Sequence, residues 1–564
     1  TTIGAATAHG KDAFKQETSA RIFIDGEASD SATFHVELQA FKDGKAGTNY
    51  DSNESYTQRD ALREAYVDTM VEDWSIRAGK QQVVWGTADG MKLLDAINPT
   101  DYSEMAQNQM EDSRIPVFMI NAEKDLKAGG SFQFILSDAK KNKIAGLNAS
   151  GDQGNPFIMK GVDTITGKEN GWVAIAKDFG KVAAAFGGMA THTSQVAATT
   201  VQEFIDSAGM NAFGGVGSGV GYTDMAGVVT GVQATTNLLG PEAGNLNNGA
   251  FGEVRDTAFG TFEDFKNMTS EYRVNDNADG EVNIGGKYKN STDGGVNYSV
   301  NYLYHYDANP VVQASWEEAA TGRKLTQEII NGEGFLRYSD TGADFDPLLG
   351  NSDGAGGCGA LVAGLPNTAT CANNMSSLVF EESLNRIHSL GGSFDMAIES
   401  NSLGPIVVRG EALYQKDVMT PVLYRTDTAA NHSVTRVGAL ADGLTMQKGN
   451  MFKYVLGADI TAMTNMMVSA QLIQLRNLDY VDNASGYTMD QATLHLSNDL
   501  QKAEKNKEFY SLFFSKPFGA SGEHRWNNIT MYEENGGKWN RLDAEFSIDD
   551  DTQATVEYNK YWGD

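Results

Sequence analysis

The sequence is poor in the residues that mark several common classes of protein. Its 564 residues include only 2 cysteines and 10 prolines, so a disulfide scaffold and a proline-rich disordered chain are both excluded. The two cysteines belong to no Cys/His array with zinc-ligand spacing, which argues against a structural zinc site. No stretch of about 18 apolar residues occurs, so no transmembrane helix is predicted.

Positive charge is also scarce. The chain has 44 Lys and Arg residues against 74 Asp and Glu residues, for a net charge of −30. Because phosphate binding needs clustered Lys and Arg, nucleic acid is excluded as the main partner. The same balance disfavours docking on anionic lipid.

Catalytic motifs are missing as well. The chain contains no G-x-S-x-G elbow, no Walker loop and no H-E-x-x-H pair. The glycines that alternate from Gly215 to Gly221 lack a βαβ context, and the 8 histidines are scattered. We therefore predict that the protein is not an enzyme and needs no cofactor for its function.

What the chain does have is a repeated alternation of apolar and polar residues. Phe34, Val36 and Leu38, for example, oppose His35 and Glu37. A period of two predicts a β-strand. The same pattern recurs along the chain, in residues 74–79, 118–123, 296–302, 406–412, 452–459, 541–548 and 554–558.

Tight polar turns alternate with long irregular stretches along the chain. The turns fall at 26–31, 125–130, 290–294, 401–404, 461–465 and 549–551, and the long stretches at 139–280, 306–384, 414–449 and 476–506. This asymmetry is typical of outer-membrane barrels with short periplasmic turns and long extracellular loops. It predicts an all-β fold: a single transmembrane antiparallel barrel over residues 1–564, with 16–18 strands and some helix in the loops.

A soluble β-sandwich is the alternative fold. It requires the apolar faces of Phe34, Val36 and Leu38 and of Phe546 and Ile548 to meet in a core, whereas a barrel turns them toward lipid.

The direction of the terminal strands raises the question of completeness. With short turns in the periplasm, the strand at 20–25 runs toward the periplasm and the strand ending near Trp562 runs away from it. A closed barrel with both termini in the periplasm then needs one more strand at each end. Gly563-Asp564 is not an aromatic terminus, so the chain is expected to be incomplete there.

Two regions are predicted to be long loops. Residues 139–280 include an Ala- and Gly-rich stretch with helical character at 199–208, which either plugs the lumen or lies on the surface. Residues 306–384 are predicted to be an extracellular loop.

One segment is more specific than the alternation. It contains Asp73-Trp74-Ser75-Ile76-Arg77-Ala78-Gly79-Lys80, then Val84-Trp85-Gly86, Ile97-Asn98-Pro99-Thr100-Asp101 and Ser113-Arg114-Ile115-Pro116. These residues resemble a Gram-negative outer-membrane family known as domain of unknown function thirteen-oh-two. The resemblance implies a porin-type barrel in the outer membrane, in contact with outer-membrane lipid and lipopolysaccharide. It also implies a role linked to lipid or hydrophobic-compound transport.

The middle of this segment is predicted to be a structured loop between two strands, because Asn-Pro-Thr-Asp is a turn signature. Such a loop either narrows the pore as a constriction or simply packs against the barrel wall, and packing by Trp85 and Leu94 is favoured. The residues of this constriction-loop motif are Trp85, Gly86, Asp89, Gly90, Asp95, Asn98, Pro99 and Asp101.

Charged side chains recur on the polar faces of the strands. In a barrel these faces line water, and lumen charges set ion selectivity. The alternative is a purely structural role, in which the charges pair across strands and stabilise the wall. The acidic excess lies in the loops and favours cations slightly. The candidate lumen residues are Arg21, Glu37, Glu64, Arg77, Glu123, Arg409, Glu411, Lys453, Asp459, Arg541, Asp543 and Glu545.

Two further sites are predicted in the region 306–384. Asp340, Asp344, Asp346 and Asp353 offer oxygen ligands for a structural calcium ion, although a solvated acidic loop is the default. Cys358 and Cys371 are expected to form a disulfide outside the cytoplasm.

Together these features predict a porin-like outer-membrane channel that passes small solutes, among them hydrophobic or lipid-like compounds. The alternative is a plugged barrel that acts as a scaffold for a periplasmic or surface protein.

Overall fold

The computed structural model describes residues 16–43, 60–86, 88, 91–104, 110–127, 129–144, 269–318, 321–330, 333–341, 376–425, 444–482, 488–491 and 503–563. Within these ranges the chain forms 22 β-strands and no helix. The described residues contain no apolar helix long enough to cross a membrane. The stretch predicted to be helical, 199–208, lies outside the described residues.

Sixteen of the strands form one wall. They are β1 (Glu17–Ser29), β2 (Ala32–Asp43), β3 (Leu62–Val71), β4 (Trp74–Gln81), β5 (Val117–Asp125), β6 (Ser131–Asp138), β8 (Val282–Ser291), β9 (Val296–Tyr306), β14 (Arg386–Ser400), β15 (Gly404–Arg425), β16 (Leu444–Ala462), β17 (Met466–Asn477), β19 (Asn506–Phe518), β20 (His524–Glu533), β21 (Lys538–Ser547) and β22 (Gln553–Trp562).

Each wall strand pairs antiparallel with the next one along the chain, so the wall is a simple meander. The pairing continues across the long connections, with β6 beside β8, β9 beside β14 and β17 beside β19. The short strand β18 (Thr488–Gln491) adds to the far end of β15. Within the described residues β1 and β22 each pair on one side only, so the barrel is not closed.

The turns confirm the predicted asymmetry. Every predicted short turn joins two wall strands at the same end, which we call the short-turn end, and the long connections all lie at the other end. The predicted loop 414–449 is shorter than expected, because β15 continues to Arg425 and β16 begins at Leu444. A bulge after Gln415, with Asp417 at φ 68°, breaks the period of two that marks a strand.

The two faces of the wall have inverted polarity. Apolar side chains on one face are exposed, as at Val300 (52%), Leu456 (49%) and Ile548 (65%). Polar side chains on the other face are buried, as at Glu411 (4%) and Asp543 (5%). Water favours the opposite arrangement, so the exposed apolar face is a lipid-facing surface.

The sandwich alternative fails on the same observation. Leu38, Phe546 and Ile548 are exposed and do not meet in a core. The chain is therefore an all-β transmembrane antiparallel barrel whose polar face is the inner one.

A second, five-stranded sheet is built from the regions predicted to be long loops. It contains β7 (Thr269–Val274) from region 139–280 and four strands from region 306–384: β10 (Val311–Glu318), β11 (Lys324–Ile330), β12 (Glu333–Tyr338) and β13 (Ser376–Ser383). β13 pairs antiparallel with β10 and parallel with β7.

Buried carboxylates of the second sheet have hydrogen-bond partners. The Tyr272 hydroxyl donates to Glu382, and the Tyr338 hydroxyl donates to Glu318 at 3.0 Å. Burial and the neighbouring carboxylate raise the pKa of Tyr338 to about 12. Burial and Glu382 raise the pKa of Tyr272 as well, so both tyrosines stay protonated donors at physiological pH.

The wall curves around the segment 82–116, which joins β4 to β5. Asp112 of this segment pairs with Arg21 on β1, and the amide of Leu94 reaches Glu411 on β15. Laid flat, β1 and β15 would lie nine strand spacings of ~4.8 Å apart, about 43 Å. An ion pair and backbone hydrogen bonds fold the described residues of the segment together, and both strands contact it, so the wall between them is curved.

Candidate functional site

The described residues of segment 82–116, namely 82–86, 88, 91–104 and 110–116, lie against the inner face of the wall, and we call them the lumen loop. Its large apolar side chains at two positions are buried: Trp85 is 2% exposed and Leu94 1%. The loop therefore occupies space that would otherwise be open lumen.

Two large side chains fix the loop to the wall. The Trp85 indole donates from Nε1 to Gln133 Oε1 on β6 at 2.8 Å. Leu94 lies over Gly391 on β14, where an added Cβ would come within 2.5 Å of Leu94 Cδ2. An added Cβ at Gly285 on β8 would be 3.2 Å from the Trp85 ring. Two glycines of the inner face thus make room for the loop.

An apolar layer fills the space between the loop and the wall. Ile135 and Ile473, both fully buried, belong to the wall, and Val83 and Ile97 belong to the loop. The remaining members come from both surfaces: Trp85, Leu93, Leu94, Val117, Met119, Leu303, Leu413 and Val455. Trp85 and Leu94 thus pack the loop against the wall.

Glu411 on β15 holds the middle of the loop. Its Oε1 accepts from the Ala88 amide at 2.9 Å and its Oε2 accepts from the Leu94 amide at 3.4 Å. Gly86 lies beside the same carboxylate. A buried carboxylate with backbone donors is a strong anchor, because charge-assisted hydrogen bonds are stronger than neutral ones. Glu411 is therefore committed to the loop.

Asn98 holds the two ends of the loop together. Its Oδ1 accepts from the Val83 amide at 2.8 Å, and its Nδ2 donates to the carbonyls of Gln81 and Ile115. The Pro99 carbonyl accepts from the Ile115 amide at 2.8 Å. One side chain thus satisfies three backbone groups where the loop enters and leaves the sheet.

Asp101 stabilises the same base. Its amide donates to the Ser113 carbonyl at 2.7 Å, and its Oδ1 accepts from the Ser103 amide at 2.8 Å. The Asn-Pro-Thr-Asp motif is therefore the structural base of the loop.

A buried ion pair crosses the loop. Arg114 Nε is 2.7 Å from Asp95 Oδ2, and the two side chains are 11% and 4% exposed. A buried pair of this kind is costly to break, since removing one partner leaves the other charge uncompensated. Asp95 and Arg114 therefore hold the two halves of the loop in one arrangement.

Lys92 is a cation of the loop with a perturbed proton affinity. Its Nζ donates to Thr100 Oγ1 at 3.0 Å. Burial lowers the pKa of Lys92 from 10.5 to about 8, although the Asp95 charge opposes that effect. The loop thus carries a group that titrates close to neutral pH.

We expect the stability of the folded protein to rise as the pH increases from about 8 to 10.5. The pKa of Lys92 is lower in the folded state, so in this window the unfolded chain binds more protons than the folded one. Urea unfolding across this pH range measures the slope, and K92M should flatten it. An equal slope in K92M would show that another group is responsible.

Most of the predicted lumen charges lie in ion pairs on the inner face. Arg77 pairs with Asp68 at 2.7 Å, Arg409 with Asp459 at 3.2 Å, and Glu123 with Lys289 at 2.7 Å. Arg541 bridges Asp543 at 3.2 Å and Glu557 at 2.8 Å, and Arg21 pairs with Glu37 at 3.7 Å. The wall therefore carries charge of both signs in compensated pairs.

Three predicted charges are placed differently. Lys453 lies on the inner face of β16, opposite Leu413 in register. Glu545 lies opposite Arg525 on β20 and accepts from Gln553. Glu64 lies directly opposite Glu37 on β2, which brings two carboxylates together on one face.

The sequence pattern does not reveal Arg63. Strict alternation turns Arg63 toward lipid if Glu64 faces the lumen. A register shift between Glu37 and Leu38 places both residues on the inner side instead, and Arg63 Nε lies 3.4 Å from Glu37 Oε1. Arg63 is only 5% exposed. A bulge has no clear sequence signal here, so the residue could be found only in the structure.

Polar cavities extend from the short-turn end toward the loop. One of about 660 Å³ is lined by Asp125, Lys287, Lys289 and Asp395, and another of about 540 Å³ includes Asp68 and Arg77. A third of about 260 Å³ reaches Gln82 and Val84 of the loop. All three are lined by charged side chains of the inner wall, so water-accessible space reaches the loop from this end.

Several predicted site residues lie outside the described residues. They are Asp89, Gly90, Asp344, Asp346, Asp353, Cys358 and Cys371. Asp340 is described, and its carboxylate binds Arg323 Nη2 at 2.8 Å. The hydrogen bond from Arg323 holds the pKa of Asp340 below its usual value. The calcium site and the disulfide remain predictions.

Comparison with known families gives one match over nearly the whole chain. The profile described as "Protein of unknown function (DUF1302)" covers residues 7–564. The chain belongs to the DUF1302 family. This confirms the resemblance seen in the segment around Trp85 and Asn98. No protein with a curated description matches the sequence.

Solved structures resemble this DUF1302 protein only at very low identity. Acinetobacter baumannii OccAB1 is 8% identical, with a TM-score of 0.38 over 97% of this chain and 84% of that chain. Pseudomonas aeruginosa OccK8 (OprE) is 7% identical, with a TM-score of 0.35 over 97% and 89%. A BenF-like porin from Pseudomonas fluorescens Pf-5 is 7% identical, with a TM-score of 0.36 over 97% and 86%. Likenesses this weak do not transfer a function, which has to come from the residues of the chain.

Proposed function

We propose that this DUF1302 protein is a channel in the outer membrane of a Gram-negative bacterium. Small solutes, among them hydrophobic or lipid-like compounds, cross the lumen past the lumen loop. Lipid and lipopolysaccharide contact the exposed apolar face of the wall. No cofactor takes part in this passage.

The observation that carries the proposal is the lumen loop itself. The wall has an apolar outside and a polar inside and curves around the loop, and charged cavities reach the loop from one end. A scaffold protein does not need charged cavities that lead to a loop inside its wall. Glu411, Asn98 and Asp95 hold the loop in one arrangement, so the loop narrows the lumen as a fixed constriction.

The chemistry of the narrow zone favours solutes with both polar and apolar parts. Val84, which is 49% exposed, lines the cavity below the loop together with Glu123, Lys287 and Lys289. An apolar compound can contact the valine while its polar groups face the charges. This arrangement supports hydrophobic or lipid-like compounds as one class of permeant.

Single-channel conductance of the full-length protein in a planar bilayer tests the proposal. A channel gives stepwise, ohmic openings, and a hydrophobic permeant added on one side should reduce the current by occupying the narrow zone. Insertion without conductance would contradict an open channel. That outcome would favour the alternative, in which a plugged barrel holds a periplasmic or surface protein.

Charge selectivity should depend more on Arg77 than on Arg409. The Arg77 side chain is 39% exposed and lines a cavity, whereas that of Arg409 is 14% exposed and lies between Asp459 and Ser469. Because lumen charges set selectivity, R77Q should shift the reversal potential in a salt gradient toward cation preference. R409Q should shift it less. Equal shifts in both variants would contradict this placement of the pore.

A further inference from the structure

A cluster of potential metal ligands lies on the inner wall between β2 and β3, where Arg21 and Arg63 pair with both Glu37 and Asp112 of the lumen loop. His35 and Glu37 are two residues apart on β2 and therefore share a face, and Glu64 lies directly opposite Glu37. One ligand atom from each of the three residues lies within 4.8 Å of the other two. This spacing places three potential metal-ligand atoms around a single point.

One nitrogen of the His35 imidazole is held by a carboxylate. Its Nδ1 is 2.6 Å from Asp25 Oδ1 on β1, which leaves Nε2 as the free nitrogen. The ring also stacks on Tyr66, with centroids 5.0 Å apart. Metal-binding histidines almost always use the other ring nitrogen to bind a carboxylate or carbonyl in this way.

Glu37 is buried without a full set of partners. The residue is 6% exposed, and its Oε1 has no hydrogen-bond partner in the described part of the chain. Arg63 and Arg21 are 3.4 and 3.7 Å away, which are ion-pair distances longer than a hydrogen bond. A buried carboxylate oxygen in this state has unused capacity as a ligand.

The local charge favours a divalent cation. Like charges directly opposite each other on paired strands are destabilising, as Glu37 and Glu64 are. Hydrogen bonds, ion pairs and the 4.8 Å ligand spacing join four carboxylates and two guanidinium groups: Asp25, Glu37, Glu64, Asp112, Arg21 and Arg63. Two negative charges are left over, which one divalent ion neutralises.

We propose that His35, Glu37 and Glu64 bind a divalent transition-metal ion such as zinc on the lumen wall. One nitrogen and two carboxylate oxygens are a ligand set that zinc accepts, and three protein ligands leave one position for water. Asp25 acts as a positioning residue that fixes the imidazole. The site goes beyond the proposed channel and does not depend on it, since the protein binds the ion whether or not it conducts.

Zinc titration of the full-length protein in detergent, after treatment with a chelator, tests the site. We expect one zinc ion per chain in competition with a fluorescent zinc chelator. H35Q and E64Q should weaken binding by at least tenfold, and D25N by about tenfold to hundredfold. The matched control is E123Q, which removes a lumen carboxylate outside the cluster and should bind zinc as the unsubstituted protein does.

Absence of saturable binding would overturn the proposal, as would equal affinity in H35Q, E64Q and E123Q. The second result would mean that other histidines bind zinc adventitiously. Cobalt in place of zinc should give a visible absorption band that H35Q loses.

A measurement on the unsubstituted protein covers the case in which a variant does not fold. Zinc should protect His35 from modification by diethyl pyrocarbonate, with the modified residues mapped by mass spectrometry. His524 is the internal control, since its side chain is 25% exposed against 20% for His35. Equal modification of His35 with and without zinc would overturn the site.

Discussion

Replacing Asp95 by alanine is expected to release the lumen loop from its folded arrangement. The substitution leaves Arg114 buried without its partner, and breaking a buried ion pair in this way costs about 3–5 kcal/mol. The loss falls on the loop because both residues belong to it. Hydrogen exchange is the direct measurement, since the amides of Asp101 and Ile115 donate within the loop and should lose protection.

Two controls separate this effect from general damage. The double variant D95A/R114A removes both charges and should recover part of the lost protection, because no buried charge is left unpaired. D340A breaks the ion pair with Arg323 at the solvent-exposed surface and should leave the loop unchanged. Protection in D95A equal to that of the unsubstituted protein would show that the ion pair does not hold the loop.

Replacing Glu411 by alanine is expected to increase single-channel conductance. The substitution removes the acceptor of the Ala88 and Leu94 amides, each lost bond to a charged group being worth about 1.5–3 kcal/mol. A loss of that size raises the population of the detached loop by about tenfold or more, since 1.4 kcal/mol is a factor of ten. The middle of the loop then leaves the wall and the lumen widens.

The control for Glu411 is another carboxylate of the inner wall. Glu545 lies on β21 and accepts from Gln553, and E545A should change conductance little. E411Q keeps one carbonyl oxygen as an acceptor and should fall between E411A and the unsubstituted protein. An increase of the same size in E545A would mean that wall charge, rather than the loop anchor, controls the current.

Charge placement was only partly predictable. Residues that alternate regularly, such as Arg77, Arg409 and Glu411, share the polar face of the wall with their partners. Arg63 does not follow the pattern, because a bulge turns it inward beside Glu37. A bulge after Gln415 also changes the phase of alternation in β15, so the sequence pattern does not show that the strand continues beyond it. A period of two is a local signal, and one inserted residue is enough to interrupt it.

Contacts between distant parts of the chain were beyond sequence reasoning. Glu411 and Ala88 are more than 300 positions apart in the chain, and nothing in either segment indicates that they meet. The second sheet also depends on contacts between distant residues, since β7 pairs with β13 about 100 residues later. Both strands lie in regions predicted to be loops. His35, Glu37 and Glu64 likewise form a cluster only once β2 and β3 are in register.

The sequence by itself determined the class of fold, a range of 16–18 strands, the end at which the short turns lie and the family. These properties follow from local patterns: side chains alternate along each strand, and the number of residues between two strands gives the length of the turn. Only the tertiary structure decided that residues 82–116 fold into the lumen and that Glu411 holds them there. It also decided which charges pair, because a side chain's partner on another strand depends on register and curvature, which no single strand encodes.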